Sequence, residues 1–334
     1  LTLVNTIKPG GGLTQETRDD LMARFSGGAE GMASAGPPDF GINTFVNIIP
    51  RNPVAAAADM DMLALIFFAL VFGAALTVIP RDRAQPVINV LEGIGDAIIA
   101  VIRWAMKLAP YGVFGLIFVI TSEFGWGILA QLGMYVMVVL VGLLLHAVFG
   151  ISSMVKFFGR MNPVVFWRSI GAPIITAFST SSSMATLPTS IATAKNQLDI
   201  QPKIAGFVLP LGATMNMNGT ALFEGVTVLF LAQVFGVDLS FSAQIIVIVL
   251  AVLTAIGAAG VPGGSLPLMM LVMATVGVPP EGIAIILGVD RILDMSRTTL
   301  IVCGDLSASV YTDRIDRELE DLEPARPLIL RDSA

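Results

Sequence analysis

Long apolar runs separated by short polar connections set the pattern of this chain. A helix that crosses a bilayer needs about 20 predominantly apolar residues, and runs of that kind cover 62–79, 87–120, 128–151, 204–237 and 283–311. The pattern predicts an all-α polytopic membrane protein with at least five crossings. Residues 8–41 are rich in Gly, Pro and charge and predict a solvated loop. The tail from Thr312 reads DRIDRELEDLEPAR, with both signs mixed, and predicts a short exposed helix with a frayed end.

Two stretches break the simple pattern. Between Asp238 and Glu281 no charged residue occurs, and the middle of that run reads GAAGVPGGSLP. It is about twice as long as one crossing requires, and Gly and Pro stop a helix and permit a tight reversal. A hairpin over about 240–278 that enters the membrane and returns to the same side is predicted. Residues 169–194 repeat the logic around TSSSMATLP, predicting a second re-entrant hairpin over about 164–199. Non-helical backbone at membrane depth is tolerated only against protein or a polar cavity, so both tips are candidate walls of a site. The connections around Arg81 and Arg83, 156–168 and 195–203 are basic, whereas those at Glu123, Asp238 and Glu281 hold no Lys or Arg. The basic set is expected in the cytoplasm. On that count the Ser-rich hairpin opens from the cytoplasm, the VPGGS hairpin from outside, and the tail ends inside. Two broken segments entering from opposite faces mark an inverted repeat with a ligand site near the midplane.

Composition narrows the function classes. Hydrophobic residues make up 55% of the 334 and charged residues 13%, against about a quarter charged in a soluble domain; mean hydropathy is +0.82. A formal charge of −6 leaves no basic surface for nucleic acid. One cysteine, Cys303, and one histidine, His146, exclude a disulfide framework, a thiolate metal site and a His cluster. The chain opens at Leu1 without a basic leader, which predicts the later part of a longer protein.

The strongest chemistry lies in GVDRILDMSRTTLIVCGD. At about 100° per residue, Asp290, Asp294, Arg297, Thr298 and Asp305 form one polar stripe, opposite Leu293, Met295, Leu300 and Val302. An isolated charge at the bilayer centre costs about 2.5–3.5 kcal/mol, so three carboxylates and one guanidinium must neutralise one another or recruit ions. Arg297 can fork onto one carboxylate only. Even with Arg291 nearby the stripe lacks positive charge, so a cation, a proton or a cationic ligand group completes the balance, and Arg297 is available to an anionic ligand. The alternative is an internal salt-bridge ladder that only holds the helix in place.

Two further motifs are polar. In LGATMNMNGTALFEG, Asn216, Asn218 and Thr220 cluster around Gly219, which lets the helix unwind and turn carbonyls toward a hard cation; a polar contact with a neighbouring span explains the same residues. Glu224, one turn on, is a ligand, a proton carrier or a paired structural charge. Ser181, Ser182, Ser183, Thr186 and Pro188 suit a half-helix N-terminus that receives a carboxylate, or a small-residue packing surface. A serine protease would need a base, and His146 sits in the apolar run VGLLLHAVFG as a packed or interfacial residue. Trp104, Tyr111, Trp126 and Trp167 read as interface anchors or core.

Taken in order and spacing, SSSMATLP, NMNGTALFEG, GAAGVPGGSLP and DRILDMSRTTLIVCGD resemble the dicarboxylate/amino acid:cation symporters, the glutamate transporter family, from about Asn43 to Leu306. The resemblance implies a secondary symporter, not an enzyme, in the plasma (bacterial inner) membrane: a homotrimeric scaffold with mobile transport domains that carry substrate like an elevator. It implies an extracellular loop over 1–42 after a missing helix, scaffold helices over 43–125, a transport domain over 126–311 and a cytoplasmic tail over 312–334. Substrate contacts would come from Ser182, Ser183, Thr220, Val261, Pro262, Gly263, Asp294, Arg297 and Thr298, with Asp290 in support. Arg297 would read a side-chain carboxylate and Asp294 an amino group. One sodium site would use Asp305 with Gly212 and Asn216, another Thr214 and Met217 with the carbonyls of Ala255, Ile256 and Ala258; Asn218 and Ile301 stand at further ion-site positions. Three residues depart from the family pattern. Met184 replaces a small or polar residue, Asn218 an Asp that would be an anionic sodium ligand, and Ile301 an Asn. The expected cargo is an acidic amino acid coupled to Na⁺ or H⁺, with no organic cofactor. A C4-dicarboxylate or neutral amino acid symporter of the same fold, or a non-transporting receptor or channel, are the other readings.

Overall fold

The computed structural model describes residues 1–13, 49–58, 62–124, 126–258, 260 and 262–322, and among them there is no strand. The predicted loop over 8–41 therefore lies outside the described residues from 14 onward, as do Val261 and the end of the tail from 323. The helices are α1 (Thr2–Ile7), α2 (Pro53–Ala58), α3 (Met62–Val78), α4 (Arg81–Phe124), α5 (Trp126–Leu145), α6 (Pro163–Ser169), α7 (Gly171–Thr180), α8 (Ser183–Gln197), α9 (Pro202–Met215), α10 (Asn218–Phe235), α11 (Phe241–Gly257), α12 (Leu266–Thr275) and α13 (Ala284–Leu322). Two wide turns of π-helix, His146–Ile151 and Met154–Phe158, prolong α5.

Local chemistry sets the boundaries. Asn162 caps α6 by accepting the Val164 N–H at 2.9 Å, with Pro163 in the first turn. Ser182 caps α8 through the Ala185 N–H at 3.1 Å, and Ser240 caps α11 through the Ala243 N–H at 3.2 Å. Gly236, at φ 70°, ends α10 in the left-handed conformation that a side chain disfavours.

The centre of the molecule is α10, which is buried on nearly all sides from Phe223 to Phe235 and, apart from Glu224, Thr227 and Gln233, carries no polar side chain there. Tyr135 of α5 stacks on Phe230 at 4.4 Å, and α11 and α13 close the other sides. The segments α7 and α8 form a helical hairpin packed on α9 and α13, and α11 and α12 form a second. Among the described residues two stretches, Gly127–Phe158 and Pro202–Phe235, are long and apolar enough to cross a membrane. The predicted crossing over 62–79 is the 17-residue helix α3, that over 87–120 lies within the 44-residue helix α4, and that over 283–311 lies within the 39-residue helix α13 and the turn before it.

Along α4 the apolar side chains Val87, Val90, Ile94, Ile98, Val101, Trp104, Leu108 and Tyr111 are exposed, a stripe recurring every three or four residues. Against this, the final helix α13 is buried on nearly every side: Leu293, Leu300 and Val302, opposite the charged stripe, are as enclosed as the stripe itself.

Candidate functional site

Three breaks in helical structure meet beside α13. The first is the tip of the α7–α8 hairpin, where Ser181 takes a left-handed conformation at φ 51° and Ser182 an extended one. The second is the break between α9 and α10 at Asn216 and Met217. The third is the tip between α11 and α12, where Gly263 has φ 73°. The two tips touch: the Ser182 hydroxyl donates to the Gly260 carbonyl at 2.7 Å. Ser183 donates to the Ala213 carbonyl at 2.9 Å, tying the first tip to α9.

Between these breaks lies a cavity of about 20 Å³ whose walls include Ser181, Ser183, Met217, Thr220, Asp294, Arg297, Thr298 and Ile301, with Ala258, Gly260, Gly264 and Ser265 from the second tip. That is room for about one water molecule.

Charge in and around the cavity is unbalanced. Arg297 is 2% exposed; its Nε and Nη2 reach Asp294 Oδ1 at 3.0 and 2.8 Å, and its Nη1 lies 3.6 Å from Asp290 Oδ1. At 3.6 Å that last pair is too long for a hydrogen bond, and Nη1 has no other hydrogen-bond partner among the described residues. The guanidinium also lies 4.2 Å from the Phe223 ring centroid, which supports its plane. Asp294 uses its second oxygen to accept the Gly263 N–H at 3.3 Å, so it joins the arginine to the second tip.

Asp305 has a different environment. It is 3% exposed, accepts from the Asn216 amide at 2.8 Å, and no basic side chain pairs with it among the described residues. Gly212 makes room for it: a Cβ at that position would sit 2.6 Å from the carboxylate. A buried carboxylate held by one side-chain amide and packed on Gly212, without a fixed counter-charge, fits a hard cation.

Glu224 is fully buried, with one oxygen 2.7 Å from the Thr254 hydroxyl and the other without a partner among the described residues. Thr254 has one hydroxyl proton, yet its oxygen also stands 2.7 Å from the Leu250 carbonyl, which can only accept. Both contacts are hydrogen bonds when Glu224 carries a proton and donates it.

The remaining site residues divide. Thr220 and Thr298 are buried in the cavity wall. Thr214 is exposed and turns its hydroxyl to the Leu211 carbonyl at 2.9 Å. Asn218 accepts the Gly219 N–H at 2.8 Å through its own amide oxygen and faces His146 Nε2 at 3.4 Å through its nitrogen. Pro262 is half-buried at the second tip, and Ile256 is 39% exposed while Ala255 and Ala258 are buried.

Comparison with known proteins identifies the group to which this arrangement belongs. The profile of the sodium:dicarboxylate symporter family matches residues 1–315. The chain belongs to the sodium:dicarboxylate symporter family. It is 37% identical over 273 residues to the proton/sodium-glutamate symport protein of Bacillus subtilis, covering 81% of this chain and 62% of that protein. It is 34% identical over 310 residues to the proton/glutamate-aspartate symporter of Escherichia coli, covering 92% of this chain and 70% of that one. With excitatory amino acid transporter 3 of Mus musculus it shares 35% identity over 267 residues, 79% of this chain and 51% of the relative. The chain thus spans between about half and seven tenths of the length of these relatives.

Within this family member the three departures have physical positions. Ile301, Met217 and Ala255 form a small apolar cluster at one end of the cavity. Met184 is 42% exposed, beside Gly260. Asn218 leaves its corner without the carboxylate the family pattern supplies. Sequence reasoning also placed the unwinding at Gly219; the break lies two residues earlier. Gly219 sits inside α10 for another reason, since a Cβ there would lie 2.5 Å from the Arg297 carbonyl. Phe223 and Thr254 went unnoticed in the sequence, where an aromatic and a threonine in apolar helices look like ordinary core.

Proposed function

We propose that the protein is a secondary active symporter that moves an acidic amino acid, of the glutamate or aspartate kind, together with Na⁺ or H⁺ across the plasma membrane. The observation that carries this reading is the buried imbalance beside the two tips: among the described residues, the carboxylates of Asp290, Asp294 and Asp305 against the single fully enclosed guanidinium of Arg297. A solute with a carboxylate engages the open Nη1 of Arg297, its amino group engages Asp294, and a coupling cation completes Asp305 with Gly212 and Asn216. Glu224, held by Thr254, is a carrier for a coupled proton. The names of the bacterial relatives, which couple glutamate to protons or sodium, support the same cargo.

Architecture follows from the same reading. The α6–α8 and α11–α12 segments act as re-entrant hairpins from opposite faces in an inverted repeat, within a transport domain over 126–311. The scaffold over 43–125 forms a homotrimer, in which neighbouring copies would cover the exposed apolar side chains of α4. Transport proceeds as an elevator.

Reconstituted in vesicles, the full protein should accumulate labelled aspartate or glutamate, and not a neutral amino acid, when a Na⁺ or proton gradient is imposed. Arg297→Ala should weaken acidic-substrate uptake about 10- to 100-fold, the value of losing charge-assisted hydrogen bonds; unchanged uptake would overturn the assignment. A second reading, a C4-dicarboxylate carrier, draws on the commitment of Asp294 to both Arg297 and Gly263. Succinate uptake that survives Asp294→Asn would select it.

A further inference from the structure

The end of α13 carries a set of polar contacts that the site does not use. Beyond Thr312 this helix leaves the apolar core and runs past both feet of the first hairpin, the chain entering it at 158–163 and leaving it at 198–203. At the entering foot, Arg314 Nη1 donates to the Phe158 carbonyl at 2.7 Å, and Arg160 pairs with Glu318 at 3.1 Å. At the leaving foot, Asp313 accepts the Gln201 N–H at 2.8 Å, Arg317 donates to the Asp199 carbonyl, and Lys203 pairs with Asp316 at 2.7 Å. On the helix itself, Asp313 orients Arg317 at 2.7 Å and Glu318 orients Arg314 at 2.7 Å.

Backbone geometry concentrates at the same two places. Arg160 and Asp199 are two of only four non-glycine residues with positive φ among the described residues, at 48° and 54°. Such conformations persist where surrounding contacts over-determine them, and each is bound by the extension of α13.

We propose that the polar extension of α13 is an ionic clasp that fastens both feet of the first hairpin to the helix carrying Arg297 and Asp305, so that hairpin and site helix move as one body. Arg314 and Arg317 are its positioning residues. They touch no substrate; they act by holding the hairpin against α13. The inference rests on the proposed symporter reading only in naming this face, with its basic connections over 156–168 and 195–203, cytoplasmic.

A single-cysteine protein tests it, with the buried Cys303 replaced by alanine and a reporter introduced by Ala194→Cys, a position on α8 that is fully buried close to the leaving foot. A membrane-impermeant maleimide is added to the cytoplasmic face of inside-out vesicles, without substrate. With the clasp intact, modification should be slow. Lys203→Asp should accelerate it about threefold, the weight of one exposed ion pair, and Arg314→Ala with Arg317→Ala about tenfold. Lys203→Asp combined with Asp316→Lys should restore protection, which a general loss of folding would not do. Unchanged labelling in the arginine double variant, in protein that still elutes as a single species, would overturn the clasp. So would failure of the charge swap to restore protection. Because no substrate is present, the result is independent of whether the cargo has been assigned correctly.

Discussion

At the scale of single residues, the site depends on close approaches that only certain side chains allow. Gly219 brings α10 against the backbone of Arg297, with a notional Cβ 2.5 Å from a carbonyl that cannot rotate away. Gly206 in α9 has nothing within 4 Å of the same position. Gly219→Ala should therefore lower stability by about 1–3 kcal/mol, as overpacking does, while Gly206→Ala should be neutral or raise it by about 0.5–1 kcal/mol through helix propensity. Thermal unfolding of the two variants in the same detergent compares them directly. Glu224 supplies a different test. In Glu224→Gln the amide N–H can still donate to Thr254 while Thr254 donates to Leu250, so folding should persist. Uptake should lose its dependence on a proton gradient, and uptake that stayed proton-driven would exclude Glu224 as the carrier.

Between elements, hydrogen bonds at helix contacts have a definite direction. Thr227 donates its hydroxyl proton to the Phe223 carbonyl at 2.7 Å, so Tyr135 must be the donor in the 2.8 Å contact between their hydroxyls. Tyr135→Phe keeps the stack on Phe230 and removes one buried hydrogen bond, for an expected loss of about 0.5–1.5 kcal/mol. A melting temperature unchanged within error would show that the α5–α10 contact rests on packing alone. The extension of α13 has its own pH limit. The Arg314 hydrogen bond holds the exposed Glu318 carboxyl below its ordinary value of 4.5. A depressed carboxylate contributes above its unfolded value and is lost as pH falls through the folded one. The Arg160–Glu318 and Arg314–Glu318 pairs should thus hold at neutral pH and fail only below 4.5, so maleimide protection of the Ala194→Cys reporter should be flat from neutral pH down to that value.

For the whole molecule, the cavity of about 20 Å³ is too small for an amino acid. Binding must open the contacts that hold the second tip, Gly260 to Ser182 of the first tip and Gly263 to Asp294 of α13. Amide hydrogen exchange over 258–265 should therefore change when aspartate is added, more than exchange over the buried residues 226–235. Equal protection at both places, with binding demonstrated, would mean that the ligand lodges elsewhere. Outside the bundle, Trp104 and Tyr111 of α4 are 67% and 78% exposed, and the apolar stripe they share must be covered by lipid or by other copies. Subunits cross-linked through α4 would support the second.

How much of this was legible in the chain follows from what kind of force writes each feature. Apolar run length and Gly–Pro interruptions are local, and they announced an all-helical protein with breaks at the SSSM and VPGGS segments. Likewise the spacing of Asp290, Asp294, Arg297 and Asp305 on one helix placed them on one stripe, because helical periodicity is a property of the chain itself. Partners contributed by distant segments were not legible. That Arg297 rests on Phe223, that Thr254 stands against Glu224 from 30 residues away, and that Arg314 and Arg317 reach back more than a hundred residues to Phe158 and Asp199 are decided by packing. The sequence by itself determined which groups are charged and where helices must stop. Tertiary structure alone decided which of those charges are answered by fixed partners and which are left for a moving solute, since burial and distance fix the electrostatic cost of an unpaired group.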